Sequence, residues 1–123
     1  MEVKLRVVFD TGIVLQAALH SSGPAGRLIM MLDQDRFALY SSDECIAEYQ
    51  DVLSRYSIRR KNPHLTDALT NAIVKRVQAH STCTVHVPAH YTLQRDPNDE
   101  HVVNLAIEVK AHFLISRERI FST

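Results

Sequence analysis

Short apolar runs recur along the chain, each leading into or out of a stretch whose apolar residues fall at helical spacing, and this alternation constrains the fold more than any other feature. Val7-Val8-Phe9, Phe37-Ala38-Leu39-Tyr40, Thr82 to Val87 and Phe113-Leu114-Ile115 read as strands. The first becomes wholly apolar, which suits a strand buried on both faces of a mostly parallel sheet. Strands separated by helices make crossover units, which force neighbouring strands parallel and place helices over both sheet faces. The predicted architecture is therefore a three-layer α/β/α sandwich around a mostly parallel central sheet. The 123 residues fit one domain over 1–123, because a single core serves chains of roughly 100 to 150 residues.

Between the strands, Thr11 to His20 offers Ile13, Val14, Ala17 and Ala18 on one face, and Ser21-Ser22-Gly23 stops that helix with Pro24 placed to open the next. After the second strand, Ser41-Ser42-Asp43-Glu44 offers a serine hydroxyl and a glutamate three residues on, which can satisfy each other's orphan amides. Ile46, Tyr49, Val52, Leu53 and Tyr56 form the apolar stripe of the helix that follows, and Arg59-Arg60-Lys61-Asn62-Pro63 reads as a basic loop. Leu65, Ala68, Leu69, Ala72, Ile73 and Val77 mark an amphipathic helix, capped by Asn62 or Thr66. Cys83, Val85 and Val87 share a strand face, and a polar loop from Pro88 to Asn98 leads into a helix from about Asp99 to Lys110.

Composition excludes several classes. The 14 basic and 14 acidic side chains cancel, so any contact with nucleic acid must come from a local patch. Cys45 and Cys83 read as a reduced pair of small core residues. Glu2, Lys4 and Arg6 interrupt the N-terminal apolar residues, unlike a secretory signal, and no apolar run reaches the ~18 to 20 residues that span a bilayer. The expectation is a cytoplasmic protein with no membrane attachment. His86 and His90 lack the further ligands of a zinc site, and Gly23 and Gly26 lack the strand and lysine of a phosphate loop.

In open α/β sheets the ligand crevice lies at the carboxyl ends of the strands, near a topological switch point. Asp10 closes the first strand, Asp96 and Asp99 follow the third, and Glu118 follows the last. Glu48, on the helix after the second strand, reaches back to the same edge because helical side chains lean toward the N terminus. Carboxylates crowded to ~4 Å repel by several kcal/mol, so such a cluster is protonated, solvated or neutralised by cations. Hard oxygen donors favour Mg²⁺ or Mn²⁺ over zinc, and such ions activate water and clamp a scissile phosphate. The plainer reading stands beside this one: Asp10 and Asp99 suit helix caps, and Glu48 and Glu118 suit solvated surface charges.

Val7-Val8-Phe9-Asp10-Thr11 resembles the opening strand and Asp-Thr-Asn signature of the PIN domain family, in particular the prokaryotic toxins of toxin-antitoxin pairs. Ser42 to Leu53 is similar to the helix that carries that family's glutamate, Arg95 to Ala106 to its acidic loop and helix, and Ala111 to Ser116 to its next strand. The resemblance implies a metal-dependent endoribonuclease with Asp10, Glu48 and Asp99 as catalytic metal ligands and Asp96 and Glu118 beside them. It also implies an antitoxin partner and a homodimer. Arg55, Arg59, Arg60 and Lys61, with Tyr56 nearby, are the candidate RNA contacts.

Three features depart from the family pattern. Gly12 stands where the family usually has Asn, Glu118 stands where it has Asp, and the chain stops at Thr123, where relatives usually add a final short strand, so either the sheet lacks an edge or the domain is shortened at its C terminus. These departures support an alternative, a degenerate PIN-like module that binds RNA or a protein partner without cutting. A receiver-like phosphoacceptor domain would need an acid and a lysine where Thr11 and Ser116-Arg117 stand.

Overall fold

In the computed structural model, which describes residues 4–84, 87, 100–116 and 120–122, the apolar run Arg6–Phe9 forms the central strand β1. Val7, Val8 and Phe9 are all buried. Thr11–Leu19 (α1) follows directly, then Pro24–Met30 (α2) and a short 3-10 turn, Met31–Gln34. Ala38–Ser42 (β2) leads into Asp43–Leu53 (α3), Tyr56–Lys61 (α4), Asp67–Ala79 (α5) and Ser81–Thr84 (β3). Glu100–Glu108 (α6), Phe113–Ile115 (β4) and Ile120–Ser122 (β5) complete the described chain.

The strand order is β3-β2-β1-β4-β5. β1 pairs in parallel with β2 and β4, and β2 with β3, while β5 runs antiparallel along β4. Four parallel strands flanked by helices give the expected α/β architecture. β5 forms one edge of the described sheet, beside β4. Since β1 lies between β2 and β4, its carboxyl end is the switch point of the sheet, where successive crossovers depart to opposite sides.

Local chemistry moved several boundaries. β2 begins and ends later than predicted, so Ser41 and Ser42 are buried strand residues. The cap of α3 is Ser42, whose hydroxyl accepts from the Cys45 amide at 3.1 Å; Ser41 instead shares a 2.7 Å hydrogen bond with Ser81 across the β2–β3 pair. Arg59, Arg60 and Lys61 are helical in α4 rather than in a loop, and Tyr56 is 77% exposed rather than part of the α3 stripe. The buried face of α5 is Thr70, Val74 and Val77, with Ala68 and Ala72 exposed. Cys45 is buried as expected, whereas Cys83 is exposed and its thiol donates to Asp43 at 3.4 Å. Val85, His86 and His90 lie outside the described residues.

Candidate active site at the carboxyl edge of β1

Asp10 leaves β1 and enters α1 as its N-cap. Its backbone amide donates to the Ile115 carbonyl at 3.0 Å, continuing the β1–β4 pairing by one residue. Its side-chain Oδ1 accepts from the Gly12 amide at 2.5 Å. A backbone donor thus orients the first carboxylate at the position where the family has an asparagine side chain. Capping does not preclude a second role, because a carboxylate offers two acceptor oxygens.

Glu48 is brought to the same edge by its neighbour. Tyr49, on α3, is 1% exposed, and its hydroxyl donates to the Phe9 carbonyl at 2.8 Å. That bond fixes the middle of α3 over the end of β1, one residue before Asp10. Burial raises the Tyr49 hydroxyl well above the usual phenol range, with smaller upward pushes from Cys45 and from the Asp10 and Glu48 carboxylates. The phenol remains protonated and keeps donating.

His101, on α6, faces the same group. Its Nε2 hydrogen bonds with Oε2 of Glu48, and its Nδ1 lies 3.7 Å from the Cys45 sulfur. The imidazole is held up at about 9: its hydrogen bond with Cys45 raises it most, burial opposes, and the Glu48 carboxylate adds to the rise. Thr11 Oγ1, next to Asp10, is buried and has no hydrogen-bond partner among the described residues. Buried hydroxyls are usually satisfied, and among the described side chains this one is an exception.

Asp96, Asp99 and Glu118 fall outside the described residues. Among those that are described, no three His, Cys, Asp or Glu side chains group as they would around a metal ion. Asp10 and Glu48 are hard oxygen donors and fit a small divalent cation as part of a larger ligand set. The sulfur of Cys45 is wholly buried.

The basic segment divides. Arg55 pairs with Asp51 at 3.0 Å, and Arg59 is spent on structure, donating to the Leu53 carbonyl, Asp67 and Thr70 at 3.0, 2.5 and 3.2 Å. Arg60 and Lys61 are exposed, as is Tyr56 one helical turn before Arg60. An open cleft of about 380 Å³ lies elsewhere, at the amino ends of β2 and β3 between Lys4, Asp35, Phe37 and Thr82, away from the carboxylates.

The PIN domain family model matches residues 6–119. The chain belongs to the PIN domain family. PIN domains are generally nucleases that depend on divalent metal. Neither the curated proteins nor the solved structures gave a significant match. No helix among the described residues is long and apolar enough to cross a membrane. In this PIN domain, the sequence singled out Asp10 and Glu48 but gave no notice of the His101–Glu48 contact or of the tethering role of Tyr49. The signal for Tyr49 was available: a tyrosine on a buried helix face needs a partner for its hydroxyl.

Proposed function

We propose that this PIN domain is a metal-dependent endoribonuclease that hydrolyses RNA phosphodiester bonds, acting in the cytoplasm as the toxin of a toxin-antitoxin pair. The observation that carries the reading is the Tyr49–Phe9 hydrogen bond, which sets the Glu48 helix over the strand end that bears Asp10. Asp10, Glu48 and Asp99 are the catalytic ligands in this reading, with Asp96 and Glu118 completing the acidic set. A bound Mg²⁺ or Mn²⁺ would supply an activated water and charge neutralisation at the phosphate. Asp10 and Glu48 hold their share of the negative charge at the carboxyl edge of β1. Lys61, Arg60 and exposed Tyr56 bind the strand by phosphate contact and base stacking. Arg55 reaches the strand by exchanging Asp51 for phosphate, and Arg59 serves by fixing α4. A homodimer belongs to the same reading and is checked by molecular mass in solution.

The test is cleavage of a labelled single-stranded RNA with Mn²⁺ by wild type, Asp10→Asn and Glu48→Gln. Asn caps a helix about as well as Asp, so Asp10→Asn isolates the ligand role. Both variants are expected to lose at least about a hundredfold in rate while binding RNA normally. Equal cleavage by Asp10→Asn would remove the proposal; RNA binding without cleavage by wild type would favour the non-catalytic module.

A further inference from the structure

We infer that α4 is a platform for one unpaired base: Tyr56 stacks the base while Arg60 holds the phosphate beside it, so this face takes single-stranded RNA in preference to paired RNA. The inference rests on the RNA reading above and names the feature of the strand that α4 recognises. Tyr56 is 77% exposed, although a tyrosine left in water forgoes the burial that usually covers its ring. Arg60 follows four residues later, so ring and guanidinium share one face of the helix. Among the described residues neither Arg60 nor Lys61 has a hydrogen-bond or ion-pair partner, so both charges are open to a ligand.

The platform is fixed from below. Arg59 joins α4 to α3 and α5 through Leu53, Asp67 and Thr70, and the Asn62 side chain donates to the Ile58 carbonyl at 2.9 Å. A helix of six residues does not persist alone, so these bonds hold the ring in place before a ligand arrives, which lowers the ordering cost of binding. Three cations and no anion lie on α4, a match for phosphate. The same charges would attract an acidic protein segment, but Tyr56 is the one exposed large apolar side chain on α3, α4 and α5. A single ring is too little apolar area for the core of a protein interface, and it is the size of one base. Cations in the last turn also suit the helix dipole, a role that requires no ring. In a duplex every internal base is stacked on both faces, whereas a base in a single strand can be splayed onto an aromatic side chain.

The experiment is equilibrium binding of the whole chain, at low salt and in EDTA so that no strand is cut, to three labelled probes. These are a single-stranded RNA, a long fully paired RNA, and an abasic sugar-phosphate strand of the same length as the first. Wild type, Tyr56→Ala, Tyr56→Phe and Arg60→Ser are compared. Tyr56→Ala is expected to lose about 5- to 150-fold in affinity for the single strand, the worth of one stacked base, and nothing on the other two probes. Tyr56→Phe, which keeps the ring, should bind as wild type does, and Arg60→Ser should weaken all three probes because each carries phosphate. A structural role alone would lower the melting temperature of Tyr56→Ala and weaken the three probes alike, which overturns the inference. Tyr56→Ala that binds the single strand as tightly as wild type also overturns it, and wild type that binds no probe does so in favour of an acidic protein partner. Cleavage of the single strand with Mn²⁺, measured apart, reports on the nuclease reading. Wild type that cuts while Tyr56→Ala binds normally sinks the inference alone; wild type that discriminates among the probes without ever cutting sinks the nuclease reading alone.

Discussion

The Tyr49 hydroxyl donates to the Phe9 carbonyl at 2.8 Å, and both residues are almost wholly buried. Removing the hydroxyl leaves a buried carbonyl short of a partner, which costs about 1–3 kcal/mol. Tyr49→Phe should therefore melt several degrees lower and bind Mn²⁺ more weakly, because the Glu48 helix loses its tether to the strand of Asp10. Thermal unfolding with and without Mn²⁺ checks both; an unchanged response to the ion would show that the tether does not set the site.

The four basic residues around α4 should separate into two classes. Arg59 joins α3 to α5, so Arg59→Ala is expected to destabilise by about 1 kcal/mol, the contact to exposed Asp67 adding little. Arg60→Ser with Lys61→Ser should leave the melting temperature within the usual range for surface changes. If both side chains contact phosphates, the slope of log affinity against log salt falls by about 1.4 on single-stranded RNA. A slope identical to wild type counts against α4 as an RNA contact.

A methyl group at position 26 has nowhere to go. The nearest atom to a Cβ built on Gly26 would be the Ser21 carbonyl oxygen at 2.0 Å, and the next two belong to the same backbone. The turn into α2 must open to admit it, so Gly26→Ala should cost about 1–3 kcal/mol despite the better helix propensity of alanine. Urea unfolding measures this; a neutral or stabilising change would mean that the Ser21 turn yields freely.

The cap of α3 is equally open to test. Ser42→Ala removes the side chain that accepts from the Cys45 amide and should destabilise by about 1 kcal/mol. Glu44→Ala, at the place where a reciprocal cap would put its acid partner, should change stability by less than about 0.5 kcal/mol. The reverse ranking would restore the cap at Ser41.

Much of this was legible in the sequence because hydrophobic period and caps act locally. β1, the Ser-Ser-Gly stop, the Pro24 start and the Thr66 cap of α5 all follow from residues within a few positions of one another. What escaped depends on distant partners. Arg59 ends up in a helix because Leu53, Asp67 and Thr70 hold it there, and Tyr56 leaves the α3 stripe because the chain turns at Ser54. The break before β4 carries no glycine; Lys110 adopts a left-handed φ of 53° instead, which nothing in its neighbours announces. For the candidate site, Asp10 and Glu48 were singled out from their places relative to strands. His101 was invisible because a lone histidine on a helix has no motif until α6 is laid beside α3.

The central place of β1 has a bearing on synthesis. The amide of Asp10 finds its acceptor in Ile115, a long way further along the sequence, so β1 is flanked on both sides only after β4 has been made. Pairings between such distant segments form late and slowly. A nascent fragment that stops short of Ile115 would hold Asp10 without its neighbouring strand.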